Sequence, residues 1–227
     1  MQQVSAAPAA PVPATSGGQA AESPRRERKK RQTRDALVHA ALTLFNAKGY
    51  EHTAVREITD AVDVSERTFF RYFASKEDLA LSVIREGSDA LMRELAARPA
   101  DEPPMTALGN ALRVSLRALT TDEDQPGGES IYLRVTMLIV TTPTLLAAEL
   151  RDRNDHDVEL VRVLAEREGV DPLTDLRPRL AATVFGGLVF TANKVWQAEG
   201  DGSVDAMMAA YEACASQLAP ALAGHWS

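Results

Sequence analysis

In the stretch SERTFFRY, Ser65 to Tyr72, two arginines stand four residues apart. On a helix that spacing projects Arg67 and Arg71 from one face, one turn apart. Guanidinium is a rigid fork of N–H donors that matches two acceptors on a guanine edge, a contact worth about 1–3 kcal/mol of discrimination. Glu66, beside them, could accept from a cytosine or simply favour the positive end of a helix dipole. Upstream, RRERKKRQTR (Arg25 to Arg34) holds seven basic residues in ten. It reads either as a solvated helix start or as an arm, ending at Arg34, that touches phosphates or enters a minor groove. The chemistry on offer is therefore anion and base-edge recognition. No Ser/His/Asp constellation, glycine-rich phosphate loop or metal-ligand spacing accompanies it, and the histidines are His39, His52, His156 and His225. Asp155-His156-Asp157 resembles a metal site only at a glance, because adjacent residues on a helix point in different directions. No enzyme activity, cofactor or metal is expected.

These residues need elements to hold them. Val55, Ile58, Ala61 and Val62 fall on one face of a short helix, with Thr53 placed as its hydroxyl cap. Asp63 supplies a turn, since Asp tolerates the left-handed backbone, and Ser65 caps a second short helix that buries Phe69 and Phe73. In Ser75-Lys76-Glu77-Asp78 a serine precedes an acid at the third helical position, so another helix starts there. Before all of these, Ala36, Leu37, Ala40, Ala41, Leu44 and Phe45 recur at helical spacing over Thr33 to Lys48, ended by Gly49. Two short helices and a tight turn fit a helix-turn-helix that seats its second helix in a major groove, and fit an ordinary helical corner equally well.

The order and spacing of LFNAKGYEHTAVREI, DVSERTFFRYF and SKEDL, within Thr33 to Leu79, resemble the N-terminal domain of TetR-family transcriptional regulators. The resemblance covers about a fifth of the chain strongly. It departs at Val62-Asp63, where the family usually has Ala-Gly, and at Phe70, where a phosphate-reaching tyrosine is common. It implies a three-helix DNA-binding domain whose contacts come from Arg34, Thr53, Ser65, Glu66, Arg67, Thr68, Phe70, Arg71, Tyr72 and Lys76. Thr53, Tyr72 and Lys76 match positions that hold phosphates in the family. It also implies a homodimer on a palindromic double-stranded DNA operator, a fourth helix whose tilt transmits effector binding, and two final helices that form the dimer interface. The recognition helix, TTPTLLAAELRDR and the stretch Trp196 to Gly200 are further similar to an actinobacterial subgroup that includes the mycofactocin-system regulator, which suggests an acyl-coenzyme A effector.

With 227 residues, abundant alanine and no long alternating run, the chain reads as all-α. The domain plan is a disordered tail over 1–24, a DNA-binding domain over 25–80 and a C-terminal helical effector-binding and dimerisation domain over 81–227. The net charge is −7, but Pro24 to Ala80 holds 12 Lys/Arg against 9 Asp/Glu, while Leu81 to Ser227 holds 13 against 22. The basic footprint is thus local to the segment expected to meet DNA. Helices are expected from Ser75 to about Arg98, over Met105 to Leu119, over Ser130 to Thr141, and from Pro143 to about Glu168 with Leu145, Leu146, Leu150, Leu160, Val161 and Leu164 in the core. Thr121 to Glu129 is an exposed loop by composition.

Asp175 to Gln197 carries two apolar stripes, Leu180, Val184, Leu188 and Val195 on one face and Phe185, Val189, Ala192 and Trp196 on the other, and so must be covered on both. A last helix runs from Ser203 to about Leu222. Arg134, Asn193 and Trp196 interrupt apolar stretches and are the candidate effector contacts. The longest nearly apolar run, Leu180 to Ala192, is too short to span a bilayer, the N-terminus lacks a signal-peptide pattern, and the single Cys214 cannot form an internal disulfide, so a cytoplasmic protein without membrane contact is expected.

Overall fold

The computed structural model describes residues 24–120, 130–199 and 203–223; the expected N-terminal tail and the loop at 121–129 lie outside the described residues. Among the described residues there are nine helices and no strand. They are α1 (Pro24–Lys48), α2 (Val55–Ala61), α3 (Glu66–Tyr72), α4 (Lys76–Ala97), α5 (Pro104–Thr120), α6 (Ile131–Thr141), α7 (Pro143–Glu168), α8 (Arg177–Glu199) and α9 (Val204–Leu222).

Local chemistry sets most of the boundaries. Gly49 ends α1 with φ +90°, and Asp63 takes φ +52° in the turn before α3, a conformation open to few residues other than glycine. The Ser65 hydroxyl accepts from the Thr68 amide at 3.2 Å and caps α3. Ser75 does the same for Asp78 at 3.0 Å, and the Asp78 carboxylate accepts in return from the Ala74 amide at 2.8 Å. Pro143 opens α7, where its missing N–H leaves nothing unsatisfied, and Gly169 closes it at φ +64°.

Two expectations are corrected. The cap position of α2 is Ala54 rather than Thr53, and the Glu57 carboxylate reaches back to the Ala54 amide at 2.8 Å. The first helix begins at Pro24 rather than Thr33 and takes in the basic run. That run forms the first turns of α1, since Arg, Lys, Glu and Gln are good helix formers and proline suits a first turn.

Two hydrophobic cores lie along the molecule. One is built from α1 to α4 around Leu37, Phe45, Ile58, Phe69 and Leu79, and it takes in Val135 and Ile139 of α6 with Leu145 and Ala148 of α7. The other joins α4, α5 and α6 to α7, α8 and α9 around Leu95, Leu108, Leu164, Phe185 and Trp196. Tyr132 packs against both. The expected α7 core holds except at Leu150, which is 50% exposed because only one stripe of a long helix can face inward. On α8 the stripe of Phe185, Ala192 and Trp196 is buried, while the other splits: Leu188 is buried with them, whereas Leu180 is 61% exposed and Val195 also faces out. No single helix among the described residues is long and apolar enough to cross a membrane.

Candidate functional site

Helix α3 is anchored by one ring. Phe69 is fully buried, with Phe73 buried just past the helix end, and the two rings lie 5.6 Å apart. Burying that side leaves Glu66, Arg67, Phe70 and Arg71 exposed on the other, which is the outer face of the helix-turn-helix. Phe70 is 54% exposed and meets Phe69 edge to face at 5.3 Å, which fixes its direction outward. The Arg71 guanidinium lies over the Tyr72 ring, 5.1 Å from its centroid, and points Nη2 at the Tyr72 hydroxyl at 3.4 Å. Among the described residues Arg67 has neither an ion-pair nor a hydrogen-bond partner. Ser65 and Thr68 share a hydroxyl contact of 3.0 Å at the start of the helix.

The residues expected to hold phosphates are placed differently. Thr53 is 2% exposed and its hydroxyl donates to the Gly49 carbonyl at 2.9 Å, so it braces the α1–α2 corner rather than offering a donor outward. Lys76 turns inward as well. Its ammonium donates to the Tyr50 carbonyl at 2.7 Å and the Thr53 carbonyl at 3.1 Å, and sits 4.3 Å from the centroid of the Tyr50 ring. Burial, with the Glu77 and Glu51 carboxylates adding to it, pushes the Tyr50 phenol up to about 12, so the ring stays neutral beneath that cation. Arg34 donates to the Ser82 hydroxyl at 3.0 Å, pairs with Glu86, and lies 5.5 Å from the Phe73 ring centroid, which fastens α1 to α4. The family resemblance matched Thr53 and Lys76, with Tyr72, to phosphate contacts and Arg34 to a DNA contact, but the orientation of Thr53, Lys76 and Arg34 depends on carbonyls and carboxylates brought in by the fold.

A second feature lies in the C-terminal core. Helices α4 to α8 enclose a cavity of about 160 Å³ whose walls include Leu91, Leu116, Phe185 and Val189, and whose polar lining includes Asn193, Tyr132, Glu149, Asp152, Arg153 and His156. Asn193 Oδ1 is buried without a hydrogen-bond partner. The Tyr132 phenol is pushed up to about 12 by burial and by the Glu149 carboxylate, and remains protonated. Arg153 holds both Glu149 oxygens at 2.8 Å, and Arg85 joins Asp152 at 3.1 Å to Asp78 at the start of α4.

The three candidate effector residues therefore separate. Arg134 and Trp196 lie instead along a different hollow of about 200 Å³, between α1, α6 and α8. Trp196 is 2% exposed and donates from its indole nitrogen to the Ser203 carbonyl at 3.1 Å, which is a structural tie between α8 and α9. Sequence reasoning missed Tyr132, Arg153 and His156, whose charges and rings gave no sign of facing one cavity. Among the described residues no group of three His, Cys, Asp or Glu side chains could hold a metal ion.

A helix-turn-helix with arginines on the outer face of its second helix, joined through α6 and α7 to a second helical core with a cavity, defines a DNA-binding regulator. Residues 37–83 match the family model for bacterial regulatory proteins of the tetR family, and residues 102–223 match that of the MftR C-terminal domain. The HTH-type transcriptional regulator TcmR of Streptomyces glaucescens is 39% identical over 88% of this chain and 89% of its own. MftR of Mycobacterium tuberculosis is 26% identical over 84% of this chain and 93% of its own. The crystal structure of NalD, the secondary repressor of the MexAB-OprM multidrug efflux pump in Pseudomonas aeruginosa, shares the fold with a TM-score of 0.54 at 18% identity, covering 83% of this chain and 96% of NalD. The chain belongs to the TetR family of transcriptional regulators, which are DNA-binding proteins and not enzymes.

Proposed function

We propose that the protein is a homodimeric repressor that leaves a palindromic operator when a small apolar effector fills the cavity among α4 to α8. The observation that carries this reading is the outer face of α3, where Arg67, Phe70 and Arg71 are exposed together beside a capped helix start. Residues 25–80 form the reading domain and 81–227 the effector and dimerisation domain. Arg67 and Arg71 are the base or groove contacts, with Glu66, Phe70 and Tyr72 around them and Ser65 and Thr68 setting the register of the helix start. Thr53, Lys76 and Arg34 support this surface from within, and work on a chromosomal operator places the protein in the cytoplasm.

The dimer is proposed to form through α8 and α9. Leu180 and Val195 face outward on α8 with Gly187 exposed between them, and no atom lies within 4 Å of where a Gly187 Cβ would stand. A partner helix could therefore approach closely there, and twofold symmetry in the protein requires a matching symmetry in its DNA site.

The test is fluorescence anisotropy of the full-length protein on the DNA flanking its own gene, at fixed salt with excess unrelated competitor. Tight binding that survives the competitor is expected. Loss of all binding to competitor there, and again across a selection from genomic fragments, would overturn the specific-regulator reading and leave a general phosphate binder.

A further inference from the structure

Resting on the reading of the cavity as the effector site, its lining restricts what the effector can be. Leu91, Leu116, Phe185 and Val189 make its walls apolar. Asn193 lines it too, and its Oδ1 is buried without a hydrogen-bond partner. A side-chain amide left short of partners in apolar surroundings is unfavourable until a polar group pairs with it, and a ligand hydroxyl supplies one.

The charged rim acts in the opposite sense on anions. Glu149, Asp152 and Asp157 bring three carboxylates to the cavity lining with Arg153 and His156, and Arg85 is already taken up by Asp152 at 3.1 Å. Arg153 already holds both Glu149 oxygens at 2.8 Å. Phosphates brought to this rim would face carboxylates without an arginine left to hold them. A volume of about 160 Å³ corresponds to on the order of ten water-sized groups, far too little to enclose a coenzyme A nucleotide.

We infer that the effector is a compact, uncharged, mostly hydrocarbon molecule carrying one hydrogen-bonding group that pairs with the Asn193 side-chain amide, and that acyl-coenzyme A is not admitted.

Equilibrium dialysis of the full-length protein tests this with 2-naphthol, its donor-less analogue 2-methylnaphthalene, and octanoyl-coenzyme A, each against wild type, Asn193→Leu and Asn193→Ala. Thermal melts identify which variant is folded, and either one suffices. The two naphthalenes are expected to bind wild type and octanoyl-coenzyme A not to. The affinity ratio of 2-naphthol to 2-methylnaphthalene should fall about tenfold in the variant, as the loss of one hydrogen bond in an apolar site requires. The same ratio in wild type and variant, tighter binding of octanoyl-coenzyme A than of 2-naphthol, or no binding of either naphthalene at its solubility limit would each overturn the inference. Operator anisotropy separates the two claims. If 2-naphthol binds in an Asn193-dependent way but leaves the operator occupied, the chemistry of the cavity stands and its role as the effector site falls.

Discussion

Arg67 and Lys76 lie nine positions apart and behave as opposites. Arg67 projects from α3 with no partner among the described residues, whereas Lys76 is held by three carbonyls and a ring. Replacing Arg67 by Ala should cost about 1–3 kcal/mol on the cognate operator and little on unrelated DNA, because a bidentate base contact is lost while the fold is untouched. Anisotropy on matched and scrambled duplexes reads that difference, and an equal loss on both would remove Arg67 from base reading. Lys76→Met should act through the fold instead. It leaves the Tyr50 and Thr53 carbonyls without their charged donor, at about 1–3 kcal/mol, so the melting temperature drops. The slope of log affinity against log salt should stay that of wild type. A slope reduced by about 0.9 would show that Lys76 neutralises a phosphate after all. The capping serines and the left-handed Asp63 were legible from the sequence because each acts on its immediate neighbours. The inward turn of Lys76 was not, since the carbonyls that hold it lie 23, 25 and 26 residues away.

At the scale of helices, apolar period marked most elements, whereas YLRVTMLIV of α6 could equally be a buried strand by itself and is read as helical only from the helical patterns on either side. Period could not say which of two apolar stripes faces inward, because that choice depends on neighbours distant in sequence. Leu150 and Leu180 therefore lie outside the core while Phe185 and Trp196 fill it. The outward stripe of α8 yields a prediction whose sign identifies the partner. Within one protomer a Cβ at Gly187 meets nothing within 4 Å, so Gly187→Ala should gain the roughly 1 kcal/mol of helix propensity that alanine holds over glycine. If α8 packs closely on a second copy there, the added methyl groups meet across the twofold interface and weaken it. The expected result is a shift toward monomer in sedimentation velocity and a melting temperature that falls at low protein concentration. A uniform rise in stability with the oligomeric state unchanged would take Gly187 out of the interface.

Across the whole molecule, the two cores are not independent. Val135, Ile139, Leu145 and Ala148 of α6 and α7 complete the core around the helix-turn-helix, and Ile139 also lines the cavity among α4 to α8. Tyr132 lies in that cavity wall and packs against both cores, so a displaced ring shifts α6 at one end and the support of the helix-turn-helix at the other. Gly87 on α4 is what leaves room for the ring, since a Cβ there would stand 2.3 Å from Tyr132 Cε2. Packed interiors do not absorb such an overlap locally, and overpacking costs about 1–3 kcal/mol. Gly87→Ala should therefore lower both the melting temperature and the operator affinity in the absence of effector, as a partial mimic of the occupied cavity. Gly109→Ala serves as the comparison, because its Cβ would approach Tyr211 Cε1 at 3.2 Å in a core remote from the reading domain. It should leave operator affinity at the wild-type value whatever it does to stability. Equal operator affinity in the two variants would mean that α6 does not carry the signal. The Arg85 link from α4 to Asp152 on α7 would then be the next coupling element to test.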